Sequence, residues 1–428
     1  MTLTRGDLLP NVRCASRTSP RFPLDALGGD HLLMVFLGST RAAPGRRLLD
    51  AVLGRAPDLL DKGLGLCLVT VDPRDRAADA LGSVDPRVTV LWDEDRAVFR
   101  RFGLETDAPD SGATGHRVLH IGVVVATHGL RFRAFVTADP ATDFPDRLSR
   151  AIATLPPREV TRPAVRQAPV LQIPEVFDRG LCRRLIAGYE STGGTESGFM
   201  RDQDGKTRGV LDPRTKRRRD CMVEDEGLRL EVREALIGRA VPEIAKAFAF
   251  EASRIERYLV ACYDAADRGF FNAHRDNVSR ATAHRRFAMS INLNSGGSED
   301  GQIESDGFAG GALCFPEYGP ATFVPAPGDA VVFSCSLLHA AQPVTKGRRF
   351  VFLTFFYDEA AARIRQANRH FLDTESTERA GGMPNTIVAA TPDAPAAIPG
   401  ADATLPLHWA SVAAGAPSAN GPAEAAAR

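Results

Sequence analysis

The chain has 428 residues, of which 44% are hydrophobic and 25% charged, a globular composition too long for one ordinary core. Its 53 basic and 53 acidic side chains leave no net charge, which argues against nucleic acid or a membrane surface as a partner. Seven cysteines are scattered without a CxxC spacing, and no apolar run approaches the ~20 residues that a membrane span needs.

The start, MTLTRGDLLP, lacks a basic-then-apolar signal pattern, so a soluble protein with reduced thiols in the cytoplasm is expected. The first apolar runs, HLLMVFLG at 31–38 and LGLCLVTVD at 64–72, have the length and β-branched content of buried strands. RRLLDAVLGRAPDLLDKG between them reads as one helix, and the βαβ order implies a parallel sheet. RVTVLW at 87–92, a short helix at 95–103 and a strand VLHIGVVVAT at 118–127 complete an α/β domain over 1–155.

Residues 156–169 hold four prolines and few large apolar groups, which places a linker there. VLQI at 170–173 restarts a strand. Asp178 is an N-cap before a helix in which Leu181, Leu185 and Tyr189 recur at helical spacing. Leu228, Val232 and Leu236, then Ile244 and Phe248, mark one or two more helices. From Arg257 onward come short strands separated by Gly, Asp, Pro and Ser, the pattern of an antiparallel β core with supporting helices over 170–375. Residues 376–428, rich in Ala, Pro and Gly, offer too little bulky apolar area to fold and read as a disordered tail.

The sharpest local signal is His274-Arg275-Asp276. In an extended strand, side chains two apart share a face, so imidazole and carboxylate can reach one ion. A lone HxD is weak, and either histidine alone reads as an ordinary polar residue at a strand end. His339, directly after the predicted strand DAVVFSCSLL, supplies the third member of a two-His, one-carboxylate facial triad, the donor set of non-haem Fe(II). Structural zinc is disfavoured because it needs four closed ligands. Arg349 starts the next strand, where a planar cationic fork suits a dicarboxylate, and Arg348 is its alternative because strand neighbours face opposite ways. Tyr263 reads either as a hydroxyl donor to the same co-substrate or as a packed core aromatic.

The blocks ACYDAADRGFFNAHRDN, RRFAMSINLN, GFAGGALCFPEYG and PAPGDAVVFSCSLLHAAQPVTKGRRFVFLTFF together resemble the prolyl 4-hydroxylase-type branch of the Fe(II)/2-oxoglutarate oxygenases. The likeness spans about 170–360 and implies a double-stranded β-helix, a jelly-roll relative. It implies that His274, Asp276 and His339 bind Fe(II), that Arg349 binds the C5 carboxylate of 2-oxoglutarate, and that Tyr263 assists, with no catalytic residue beyond the metal ligands. The implied reaction is an O2-dependent hydroxylation of a C–H bond, releasing succinate and CO2, with ascorbate as a candidate reductant and a prolyl or other amino-acid side chain, peptidyl or free, as substrate. A non-catalytic iron- or 2-oxoglutarate-binding regulator is the competing reading. One departure stands out: Asn292 precedes Leu293 where relatives often carry Tyr or Leu.

In the first domain, GDLLPNV, MVFLGSTRAAPGRRLLDAV and LWDEDRAVFRRFGL resemble peroxiredoxins and the thioredoxin-like fold. The family's nucleophilic cysteine sits after the first core strand, where this chain has Gly38-Ser39-Thr40-Arg41-Ala42-Ala43-Pro44. The resemblance therefore implies a domain without thiol chemistry, with docking or substrate presentation as its default role. Finally, Arg214, Lys216, Arg217, Arg218 and Arg219 form a basic run that reads as a solvated loop, or as a lid over the iron cavity that attracts an anion.

Overall fold

The computed structural model describes residues 3–107, 117–138, 143–157, 167–297, 305–374 and 387–389. In the first half, the strands His31–Gly38, Leu64–Thr70 and Thr89–Trp92 run parallel side by side. Gly122–Ala126 and Phe132–Thr137 extend the sheet antiparallel beyond His31–Gly38, and Arg13–Ser16 pairs with the opposite edge. Alternation along these apolar strands splits the core in two. Leu33, Val35 and Leu37 meet Leu48, Val52 and Leu148 of the helices on one face, while Met34 and Phe36 meet Phe99 and Phe102 on the other. The parallel βαβ units, the closing hairpin and the final helix Phe144–Ala153 give the element order of a thioredoxin-like fold.

Two expectations are corrected here. The single helix expected between the first two core strands is two helices, Ala43–Leu53 and Ala56–Asp61. Gly54 weakens the helix at the break, and Pro57 has no N–H to continue its hydrogen bonding. The run VLHIGVVVAT is likewise divided: Arg117–Leu119 pairs with Glu105–Asp107, and only Gly122–Ala126 enters the main sheet. Between them the His120 amide donates to Leu104 O at 2.8 Å, which draws the chain out of line.

The second half is antiparallel. A nine-stranded sheet contains, from one edge, Leu171–Ile173, Ala330–Ser334, Phe287–Asn292, Val344–Tyr357, Arg254–Asp264, Arg219–Met222 and Thr195–Glu196. A five-stranded sheet contains Lys216–Arg217, Phe270–His274, His339–Ala341, Leu313–Cys314 and Thr322–Phe323. The helices Arg179–Thr192, Glu226–Arg239 and Val241–Phe248 bury Leu185, Leu236 and Ile244 together with Val260, Ile291 and Phe352 of the larger sheet. Asp178 caps the first of these helices, accepting from Leu181 N at 2.7 Å.

Most of the expected linker, 158–166, and of the tail, 376–386 and 390–428, lies outside the described residues. Within the tail, however, the short β-branched segment Ile387–Ala389 pairs antiparallel with Arg254–Glu256, so the expectation that nothing there folds is corrected at that point. The two halves also meet directly. Arg131, 3% exposed, donates to Gly6 O at 2.9 Å and Arg239 O at 3.2 Å, and Arg239 Nε reaches Asp7 at 3.0 Å.

Candidate metal centre

His274 closes the Phe270–His274 strand, His339 opens the His339–Ala341 strand, and the two are direct partners across the ladder. Asp276 follows in the turn, its amide fixed to Cys335 O at 3.0 Å. Ligand atoms of the three residues all lie within 4.8 Å of one another. Asp276 Oδ1 is 3.6 Å from His274 Nε2, and Oδ2 is 3.4 Å from His339 Nε2.

Each imidazole is held by its other nitrogen. His274 Nδ1 meets Asn272 O at 2.8 Å and His339 Nδ1 meets Leu337 O at 3.0 Å. A carbonyl accepts only from a protonated nitrogen, so both Nε2 lone pairs are left pointing at the carboxylate side. Phe271 stacks on His274 with centroids 3.5 Å apart, and Phe333 lies 4.6 Å from the His339 ring. Burial alone would raise the Asp276 carboxyl, but His339 and His274 hold it well below the usual carboxylate range. Burial, partly opposed by Asp276, pushes His339 down to about 4, so this ring stays neutral near pH 7. Two imidazoles and one carboxylate on one side of a shared point fit Fe(II) with open positions, and among the described residues no fourth His, Cys, Asp or Glu joins them to make a closed zinc site.

A cavity of about 440 Å³ opens from the three residues. Phe271, Phe333 and Phe355 supply apolar wall, and Lys216, Arg218, Arg257 and Arg349 supply cations. Of the adjacent arginines at the start of the last long strand, Arg349 turns inward and is 3% exposed. Arg348 turns outward to Glu190 at 2.6 Å. Tyr263 stands directly opposite Arg349 in the register. It is buried, its ring lies 5.6 Å from the Arg349 guanidinium, and its hydroxyl accepts from Arg218 Nη1 at 3.4 Å.

The unusual Asn292 is part of the same cluster. Its Oδ1 accepts from Arg349 Nε at 3.2 Å and Nη2 at 3.0 Å, while Gly311 O takes Nη1 at 2.7 Å. The guanidinium is thereby oriented by neutral acceptors, and among the described residues no carboxylate pairs with it.

The basic run is corrected from a solvated loop to two short strands, Lys216–Arg217 and Arg219–Met222. Arg217 and Arg219 are exposed, whereas Lys216 and Arg218 are buried and face the cavity. Arg218 forms a two-pronged pair with Asp220, Nε to Oδ1 and Nη2 to Oδ2, both at 2.6 Å. From the sequence, Lys216 and Arg218 are named only as members of the run, as loop or lid, and Asp220 is not named at all. The signal was available in Lys216, Arg218 and Asp220, which alternate on one face once the segment is read as extended. Arg257, also missed, lies where the Arg254–Asp264 strand shifts register between Glu256 and Leu259.

Residues 258–357 match the 2OG-Fe(II) oxygenase superfamily. A PKHD-type hydroxylase of Stutzerimonas stutzeri (strain A1501) is 27% identical over 195 residues, which cover 45% of this chain and 80% of that protein. Among solved structures, a Pseudomonas putida prolyl-4-hydroxylase is 15% identical with a TM-score of 0.31, covering 45% of this chain and 94% of its own. The peroxidoxin BcpB from Mycobacterium tuberculosis is 15% identical with a TM-score of 0.30, covering 36% of this chain and 96% of its own.

Proposed function

We propose that this chain is a 2-oxoglutarate-dependent dioxygenase whose Fe(II) is held by His274, Asp276 and His339, a reading supported by the match of residues 258–357 to the 2OG-Fe(II) oxygenase superfamily and by the PKHD-type hydroxylase relative. The observation that carries the assignment is the convergence of the two Nε2 atoms on the Asp276 carboxylate, with both Nδ1 atoms engaged by backbone carbonyls. We read the two antiparallel sheets that supply these residues as a double-stranded β-helix.

When bound, the iron and 2-oxoglutarate supply the O2-dependent oxidation of a C–H bond, with succinate and CO2 as products. The chain's own residues bind, orient and shield. Arg349, fixed by Asn292 and Gly311, is placed to pair with the distal carboxylate of 2-oxoglutarate, since a buried cation without a counter-charge favours an anion beside it. Tyr263, facing Arg349 across the ladder, lines the same end of the cavity. Phe271 and Phe333 pack the imidazoles in place and keep water from their outer sides. The substrate reading that follows from the hydroxylase resemblance is an amino-acid side chain, peptidyl or free, and ascorbate is the proposed reductant. All seven cysteines are free, and among the described residues no helix is long and apolar enough to cross a membrane; we place the protein in the cytoplasm.

Replacing Asp276 with Ala tests the assignment. The variant should retain its fold but lose iron binding, measured as metal per chain after reconstitution, together with succinate release. A variant that keeps one iron per chain and full succinate release would remove Asp276 from the metal site.

A further inference from the structure

Most charged groups around the cavity have a partner. Arg218 is matched by Asp220, and Arg285 is matched by Glu256 at 2.6 Å. Asp276 belongs to the metal site and Arg349 to the co-substrate, on the reading above. Asp202, at the cavity mouth, is taken by the Thr207 hydroxyl at 2.5 Å and the Arg280 amide at 3.1 Å.

Arg257 has no such match. Among the described residues no hydrogen bond or ion pair reaches its guanidinium, and its Nε is fully buried without an acceptor. Its backbone is left-handed, φ 54°, inside a strand, where a side chain larger than glycine is strained. The bulge is held by Thr354 Oγ1, which donates to Glu256 O at 3.0 Å and Arg257 O at 2.9 Å. Bulges of this kind re-aim a side chain beside a site. Here the guanidinium is laid 4.8 Å over the Phe355 ring, on the cavity wall, with Arg285 also over that ring at 4.0 Å. Burial, then the like charge of Arg285, pulls its pKa down to about 10. The strand thus adopts a strained conformation that presents to the cavity a guanidinium with no direct hydrogen-bond or ion-pair partner among the described residues, Glu256 and Asp220 acting on it only through space. Beside it Lys216 Nζ donates to Ser197 Oγ and Gly198 O, each at 2.6 Å, and lies 4.9 Å over the Phe271 ring, its burial disfavouring the charged form.

We propose that the primary substrate of this oxygenase carries a carboxylate and that Arg257 receives it. The proposal rests on the oxygenase reading for the identity of the second ligand in the cavity. A planar fork lying on an aromatic face suits a carboxylate, and the apolar wall formed by Phe271, Phe333 and Phe355 suits an aliphatic frame joining that carboxylate to the C–H bond presented to the metal.

The test is a binding titration on the full chain loaded with Fe(II) and 2-oxoglutarate without oxygen. The probes are the free L-amino acids, the same amino acids as carboxamides, and N-acetylated tripeptide amides containing one Glu. At least one carboxylate probe should bind about thirtyfold or more tightly than its carboxamide, the scale of a lost buried charge pair. Free acids or Glu peptides as the tighter set would identify the source of the carboxylate. Arg257→Gln should abolish the discrimination between acid and amide, and Arg257→Lys should restore part of it. Absence of binding by every carboxylate probe, equal binding of acids and amides, or retained discrimination in Arg257→Gln would overturn the proposal. So would Arg257→Gln weakening 2-oxoglutarate in place of the probe, because Arg257 would then belong to the co-substrate. Failure of the oxygenase reading is visible separately, as no succinate when oxygen is admitted to the wild-type chain with any probe bound.

Discussion

At the scale of single residues, the co-substrate end of the cavity is governed by Arg349 and the group that orients it. Arg349→Ala should weaken 2-oxoglutarate by about 2–5 kcal/mol, as truncation of a buried charge pair does. That is roughly thirtyfold to several thousandfold in half-saturating concentration, at about 1.4 kcal/mol per tenfold. Arg348→Ala, which removes only an outward pair with Glu190, should leave that concentration unchanged. Asn292→Leu removes the acceptor of two Arg349 donors, and a hydrogen bond to a charged group is worth about 1.5–3 kcal/mol, so a loss of about tenfold to a hundredfold is expected. Succinate release against 2-oxoglutarate concentration reads all three, and an Asn292→Leu enzyme with wild-type half-saturation would show that Asn292 does not position the arginine. The His-x-Asp spacing, the later histidine and the inward arginine were legible because strand alternation and ligand chemistry are local. Asn292 was visible only as an oddity, because its purpose depends on Arg349, which is distant in sequence and adjacent in the sheet. Arg257 was illegible, since a left-handed residue inside a strand leaves no local pattern to read.

At the scale of elements, the segment Lys216–Met222 shows how a charged strand can be buried. Lys216, Arg218 and Asp220 occupy one face, so the segment brings its own counter-charge inside, and only Arg217 and Arg219 meet solvent. Reading it as a loop failed because the usual strand signal, alternating apolar residues, is absent. The helices above the larger sheet were legible in advance, since Asp178 and the Leu181, Leu185, Tyr189 spacing follow from capping and the helical period alone. Breaking the buried pair through Asp220→Ala should cost about 3–5 kcal/mol by stranding Arg218, whereas replacing both residues with Met and Leu should cost less. Chemical denaturation of the two variants measures the difference, and a double variant as unstable as the single one would count against charge stranding as the cause. Burial opposes ionisation of Asp220, but Arg218 and Lys216 prevail and bring its pKa from 3.8 to about 2. The sign is that of a depressed carboxylate: its contribution is complete above pH 3.8 and is lost as the pH falls towards about 2. Asp220→Ala should therefore flatten the acid limb of the stability profile in that window.

At the scale of the whole molecule, the first half packs against the second through Arg131 and Arg239, and its cysteines are expected to take no part in turnover. Cys14 and Cys67 are buried, and burial pushes the Cys14 thiol up to about 12 and that of Cys67 higher still. Changing both to Ser should leave succinate release intact, and a large loss without unfolding would reveal a missed thiol role. The absence of a cysteine after the first core strand was plain from the sequence, but what replaced it was not. Asp75, fully buried, accepts from Thr40 N at 2.9 Å, Thr40 Oγ1 at 2.6 Å and Thr70 Oγ1 at 2.6 Å. A carboxyl group is thus packed against the turn that follows the first core strand. Thr40→Cys would set a thiol beside this carboxyl group, disfavouring the thiolate, and would remove one of the three hydrogen bonds that accommodate Asp75, that of the Thr40 hydroxyl.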